Sequence, residues 1–421
     1  MRALTTVLLT FIATLAGLEL LGVEKSSAGE PAVWPQWRGP SRDGLISGGD
    51  WPDGVSGSHL QRTWRAELGP SYSGPIVSKE SVFTTETVDA KFEVVRAWSR
   101  AEGKPLWEAR WEGSMKVPFF AASNGSWIRS TPALDEERLY VAGMRDVLVC
   151  LDTKDGREIW RLDFIKSLNS PPPAFGFVCS PYVVGGHVFV QAGASLAKID
   201  KLTGKIVWQV LKDDGGIYGS AFSSPYLYRP QPQDPPLLLV QTRTQLAGVD
   251  PESGAVAFAQ DVPAFQGMNI LTPTLINDTI FTSSYGGKSL CFALTRKDNA
   301  WTLQERWTNK VQGYMSTPVV IDGHIYLHLR NQRFTCIEAA TGKEKWTTEP
   351  FGKYWSLVAN GSKILALDER GELLLIRANP QKFDLLDRFK VSEQPTWAHL
   401  AVCGNEVFVR ELNAMSVYRW Q

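Results

Sequence analysis

The sequence predicts an all-β chain, an eight-bladed β-propeller of four-stranded antiparallel blades whose ring is closed by an N-terminal strand. Three observations carry that expectation. A small residue beside a proline opens a repeated unit at Gly74-Pro75, Thr131-Pro132, Ser180-Pro181, Ser224-Pro225, Thr272-Pro273 and Thr317-Pro318, with degenerate copies at Leu357-Val358 and Leu400-Ala401. A large apolar residue closes the unit after a polar turn, at Trp107, Trp160, Trp208, Phe258, Trp307, Trp346 and Leu386. The ends complement each other: the last opener runs out at Tyr418-Arg419-Trp420-Gln421 after three strands, and Leu60-Gln61-Arg62-Thr63-Trp64 stands upstream of the first opener with nothing to complete. Trp64 is therefore expected in the fourth strand of the last blade, leaving no unpaired edge there.

Residues 1–28 have a basic start, an apolar run from Ala3 to Leu18 and small residues at Ser26-Ser27-Ala28, the pattern of an export signal. The run is shorter than the ~20 residues of a spanning helix. Both cleavage and retention as an anchor stay open, and no integral span is expected once the signal is removed. The first cysteine is Cys150, so a lipid on a processed N-terminal cysteine is excluded. The protein is expected outside the cytoplasm, periplasmic or extracellular. Residues 29–58 form a leader whose Gly39-Pro40 and Asp43-Gly44 steps are turn chemistry, expected to cap the ring. Residues 59–421 are the propeller. Its inner strands are short β-branched and aromatic runs such as Val188-Phe189-Val190 and Ile325-Tyr326-Leu327, bounded by turns such as Gly185-Gly186 and Asp322-Gly323. The repeated tryptophans are expected between blades, each burying roughly 150 to 250 Å² for at most about 4 to 6 kcal/mol. Ser170 to Pro173 and Arg229 to Pro236 read as loop insertions.

Lys plus Arg equals Asp plus Glu at 44 each, so no whole-protein field favours nucleic acid or an anionic membrane. Cys150, Cys291 and Cys336 occupy one inner-strand slot in different blades and read as small buried apolar residues, while a pairing of Cys179 with Cys403 stays open. The histidines His59, His187, His324, His328 and His399 have no metal-ligand spacing, so no metal site is expected. A monomer is expected.

Two stretches, Asp152-Thr153-Lys154-Asp155-Gly156-Arg157-Glu158-Ile159-Trp160 and Asp200-Lys201-Leu202-Thr203-Gly204-Lys205-Ile206-Val207-Trp208, resemble the pyrroloquinoline quinone (PQQ) enzyme repeat, Asp-x-x-x-Gly-x-x-x-Trp. The leader from Trp34 to Gly44 is similar to the segment that precedes the ring in exported bacterial proteins of this PQQ-like group. The resemblance implies an eight-bladed propeller and two functional branches. One is the quinoprotein dehydrogenases, which oxidise alcohols or sugars with PQQ on the axis. Their vicinal cysteine pair has no counterpart here, and no motif matches their calcium ligands. The other is the propeller subunit of the outer-membrane barrel-assembly machine, which binds protein partners without a cofactor and is normally lipidated. The expected function is a binding or scaffold role, for an envelope protein or a small anionic ligand, with no catalytic residue assigned. PQQ-dependent alcohol or sugar oxidation is the alternative, with PQQ as its cofactor.

Two loop sets are expected to meet at one axial mouth. The loops before each opener supply Tyr72, Trp127, Arg129, Phe177, Tyr218, Phe222, Asn269, Tyr314, Tyr354, Trp355 and Trp397. The loops between second and third strands supply Arg145, Asp146, Arg243, Gln245, Lys288, Arg330, Asn331, Arg333, Glu369, Arg370 and Glu411. From these, Trp127, Arg129, Arg145, Asp146, Arg243, Lys288, Arg330, Asn331, Arg333, Trp355, Arg370 and Trp397 are the ligand-binding candidates, because guanidinium groups beside aromatic faces suit carboxylated or phosphorylated planar ligands and acidic peptide strands. The bland alternative is solvated loop charges, paired with Asp146, Glu369 and Glu411, over aromatics that plug the channel.

Overall fold

Eight antiparallel sheets, one per repeat, make up the computed structural model, which describes residues 32–421 apart from 216–218, 230–233 and 299. The expected signal of residues 1–28 and the candidate Tyr218 lie outside the described residues. Blades 1 to 7 are residues 76–112, 133–163, 182–210, 226–261, 274–309, 319–347 and 355–390. Blade 8 joins the two ends of the chain: Leu60–Glu67 runs antiparallel to Ala414–Trp420, from Leu60 opposite Trp420 to Glu67 opposite Ala414. The ring is closed as the complementary ends require. Arg100 of blade 1 seals the junction by clamping Glu406 of blade 8 at 2.6 and 2.9 Å.

The repeat motif has a physical cause. In every blade the pairing of the third and fourth strands is broken by a register shift near the closing residue. A bulge of this kind re-aims the side chain beside it. The closing tryptophan turns toward the next blade and its indole N–H donates to a carbonyl there: Trp107 to Thr153, Trp160 to Lys201, Trp307 to Ala339 and Trp346 to Asn379, at 2.7 to 3.1 Å. Its ring lies on the glycine of the neighbour's turn. A Cβ on Gly156, at φ +75°, would meet Trp107 at 2.5 Å, so the position needs glycine both for its left-handed backbone and for the close approach. Trp64 makes the same contact with blade 1, donating to Arg100 O at 2.8 Å over Gly103. Trp64 and Trp307 are buried, whereas Trp107, Trp160, Trp208 and Trp346 are half-buried, so the full-burial energy applies to the first two.

The core lies in layers between blades. Phe83, Val95 and Ala97 of blade 1, for example, meet Leu139, Val141 and Val149 of blade 2. All five cysteines are buried and free, so Cys179 and Cys403 do not pair. They sit far apart in the ring, in the first-strand regions of blades 3 and 8, where each is one more small apolar filler.

The leader crosses the end of the ring. Trp34 bridges Val77 of blade 1, Pro35 O accepts from Leu134 N of blade 2, and Leu45–Ile46 adds a parallel fifth strand to blade 7. Between those anchors two buried arginines cap carbonyls of first strands: Arg42 reaches Pro181 O and Ser180 O of blade 3 at 2.9 and 3.1 Å, and Arg38 reaches Pro318 O of blade 6 at 2.6 Å. Further on, Val55 N, Ser56 N and Ser56 Oγ all donate to Asp387 at 2.8 Å, and Trp51 packs on Trp420 with ring centroids 5.0 Å apart.

Candidate functional site

First strands begin near the axis, so the residues that open them, and the loops before them, wall a cavity of about 470 Å³. Trp37 of the leader contributes to its wall at the end where Arg38 and Arg42 sit, and its ring meets His399 edge-on at 6.1 Å. Above this floor come the hydroxyl residues Thr131, Ser180, Ser224, Thr272, Thr317 and Ser356. The upper wall is aromatic. Tyr285, Tyr314, Tyr354, Trp397 and Tyr72 follow one another around it with successive centroids 4.9, 5.8, 4.1 and 4.5 Å apart. Phe120, Phe175, Phe222 and Phe265 complete the wall.

Of the twelve ligand-binding candidates, Arg129, Trp355 and Trp397 lie on this wall. Arg129 turns its guanidinium toward Trp127 O and Gly125 O at 3.1 and 3.3 Å, and burial brings its pKa down to about 10, so it stays charged at neutral pH. Trp397 is held by its N–H on Glu369 at 2.8 Å. Trp355 is buried, stacked on His328 at 5.0 Å and hydrogen-bonded to Asp368 at 2.9 Å. Burial lowers the His328 pKa to about 4, so this stack is neutral.

Arg330 stands next to the wall, its guanidinium 4.4 Å from the ring centroid of Tyr285. Arg333 turns the other way, to Thr348 O at 2.6 Å and Glu349 at 3.6 Å, so the two arginines diverge. Asn331 between them is exposed and accepts from Arg333 N at 3.4 Å. Asp146 and Arg243 instead line a small neighbouring cavity of about 50 Å³ under the Pro171 to Pro173 loop. Arg243 pairs there with Asp213 at 2.8 and 3.0 Å, and Asp146, which accepts from Gly193 N at 2.8 Å, is pushed up to about 7 by burial. Trp127 is half-buried beside the wall residue Tyr72 and does not itself line the large cavity. Arg145, Lys288 and Arg370 are exposed in their loops, Arg145 donating to Ser114 O at 3.0 Å and Arg370 pairing with Asp368 at 3.3 Å.

Sequence reasoning missed the leader arginines and the hydroxyl ring. Each has a signal in the chain: Arg38 and Arg42 lie four residues apart in the turn-rich leader, and the small residue of each opener is a Ser or Thr in five copies.

PQQ, a flat tricarboxylate held with a divalent cation, was tested against these walls. The one guanidinium on the cavity wall among the described residues already serves two carbonyls, and no carboxylate lines the wall. Among the described residues no group of three or more His, Cys, Asp or Glu could hold a metal ion. The residues present do not fit that cofactor.

Among curated relatives, the outer membrane protein assembly factor BamB of Moranella endobia (strain PCIT) is 23% identical over 264 residues, 59% of this chain and 64% of the relative. BamB of Yersinia pestis is 20% identical over 265 residues, 59% of this chain and 63% of the relative, so the chain spans less than two thirds of either one's length. Among solved structures, BamB from Moraxella catarrhalis superposes with a TM-score of 0.63 at 14% identity, covering 86% of this chain and 98% of that one. The quinohemoprotein alcohol dehydrogenase of Comamonas testosteroni also gives 0.63, at 11% identity, over 92% of this chain and 80% of that one. Both branches of the resemblance thus share the fold. Residues 90–348, more than half of the chain, match the profile of one family, and the chain belongs to it: the PQQ-like propellers described as outer membrane protein assembly factor BamB.

Proposed function

We propose that this protein is an exported scaffold of the cell envelope with no reaction of its own, and that its axial mouth receives an extended segment of a partner protein. One observation carries the reading. Large apolar side chains stand open around the mouth, Phe119 at 87% exposure, Phe265 at 55%, Phe120 at 44% and Met315 at 39%, and the last three continue into the cavity wall. Clustered exposure of this kind marks interaction sites. The cations Arg145, Lys288, Arg330 and Arg370 occupy the adjoining loops, so the fitting partner is apolar with flanking carboxylates. Family membership supports the same reading, because the curated relatives are named as assembly factors.

The test is affinity capture from an envelope extract, followed by a binding titration with the partner recovered. Phe119→Ser with Phe265→Ser is expected to weaken binding at least tenfold, about 1.4 kcal/mol. Arg330→Ala should lower the association rate and its salt dependence. Unchanged capture by the phenylalanine variant would remove the mouth as the site.

A further inference from the structure

We propose that the floor of the axial cavity binds a carboxylate, so that the ligand of this site is an apolar chain ending in one. The inference rests on the reading of the mouth as a binding site and specifies what that site recognises.

The hydroxyl ring provides the donors. Besides Ser224 Oγ, which accepts from Ser180 N at 2.9 Å, four of its oxygens accept a backbone N–H from the opener of an adjoining blade: Thr131 Oγ1 from Gly74 at 3.0 Å, Thr272 Oγ1 from Ser224 at 3.1 Å, Thr317 Oγ1 from Thr272 at 3.3 Å, and Ser356 Oγ from Leu400 at 3.3 Å. With the oxygen occupied as an acceptor, each hydroxyl still has one proton to give. Among the described residues none of the four gives it to a protein acceptor, although Thr131 and Thr272 are each only 4% exposed and all four line the cavity. Buried donors without an acceptor are costly. A carboxylate, with about four lone-pair sites, accepts several at once.

The charge below the floor has the matching sign. The guanidinium carbons of Arg38 and Arg42 lie 5.6 and 5.7 Å from the ring centroid of Trp37, which itself lines the cavity. Burial lowers both pKa values to about 10, with Asp43 acting against it at Arg38, so both are charged at neutral pH. Their hydrogen bonds go to carbonyl oxygens and to Gln36, and Arg38 Nε, Arg38 Nη1 and Arg42 Nε have no partner. His399 adds no charge, since burial, followed by Arg38, lowers its pKa to about 3. A floor of hydroxyl donors over two buried cations, with no carboxylate on the wall among the described residues, favours an anion. The aromatic wall above it takes the apolar remainder.

The carboxylate could belong to a free long-chain acid or to the C-terminus of a polypeptide. Binding is read by tryptophan fluorescence and calorimetry with dodecanoate against dodecanol, and with tetra-leucine as free acid against its C-terminal amide. We expect the acid of at least one pair to bind ten times more tightly than its neutral counterpart. The pair that discriminates identifies the source. Thr317→Val should reduce that preference at least fivefold and Thr317→Ser should restore it. Equal binding of acid and neutral probe in both pairs overturns the proposal without needing any variant, as does an unaltered preference in a folded Thr317→Val protein. If acid and neutral probes bind alike while partner capture still depends on Phe119 and Phe265, the docking reading stands and the carboxylate site alone falls.

Discussion

A single buried carboxyl shows how this ring couples charge to packing. Glu93 of blade 1 reaches into the junction with blade 2, accepting from Met144 N at 2.6 Å and from the Trp111 indole at 2.7 Å. Burial raises its pKa to about 7, more than those hydrogen bonds lower it. A carboxyl whose proton is held more tightly in the folded state stabilises most below its unfolded value of 4.5, and that stabilisation is lost as pH rises through about 7. Thermal unfolding should therefore show a midpoint that declines between pH 5 and pH 8, and Glu93→Gln should flatten the decline; a midpoint rising over that window in the wild type would contradict the assignment. Nothing in the local sequence marks Glu93. It sits among Phe92, Val94 and Val95 at a position that strand alternation alone would assign to either face. Trp160 and Gly156 were legible because their contact recurs from blade to blade, and recurrence shows in a chain where a solitary burial does not.

Loops and linkers mix what can and cannot be read. Chain order placed Arg330 and Arg333 in one hairpin between the second and third strands of blade 6, and both are there. Which way each side chain turns depends on neighbours from other elements, Tyr285 for the first and Thr348 for the second. Spacing within the hairpin holds no information about them. The same limit hid the leader, whose turn-rich composition announced a cap but not that Arg42 would hydrogen-bond blade 3 and Arg38 blade 6. Its downstream half is fastened at several points: Lys363 reaches Trp51 O and Asp53, the Trp420 indole donates to Gly54 O at 2.7 Å, and Asp387 holds residues 55 and 56. Burial is the largest single influence on Asp387 and raises its pKa, but the three hydrogen bonds from Val55 and Ser56, with a fourth from Arg388 N, together outweigh it and hold the pKa at about 2. Asp387→Asn should cost about 1 to 2 kcal/mol in urea denaturation and make residues 51–58 more sensitive to limited proteolysis. Unchanged cleavage there would show that the contacts of Lys363 and Trp420 with residues 51–54 suffice.

At the scale of the ring, closure depends on one strand from each end of the chain. Trp64→Ala removes both the indole hydrogen bond to Arg100 and the buried ring that covers Gly103. A loss of about 3 to 5 kcal/mol is expected by chemical denaturation, larger than for Trp208→Ala, whose ring is only half-buried. Equal losses would mean that the junction between blades 8 and 1 is no more critical than the others.

The pairing of Leu60–Glu67 with Ala414–Trp420 also sets a timetable. As the chain is synthesised, the first of these segments emerges early and its partner follows only after some 350 intervening residues. Such long-range pairing is slow to form. Until Ala414–Trp420 has been made, Leu60–Glu67 is a bare β-edge, so the hazard of edge-to-edge association falls in that interval rather than in any state of the finished ring.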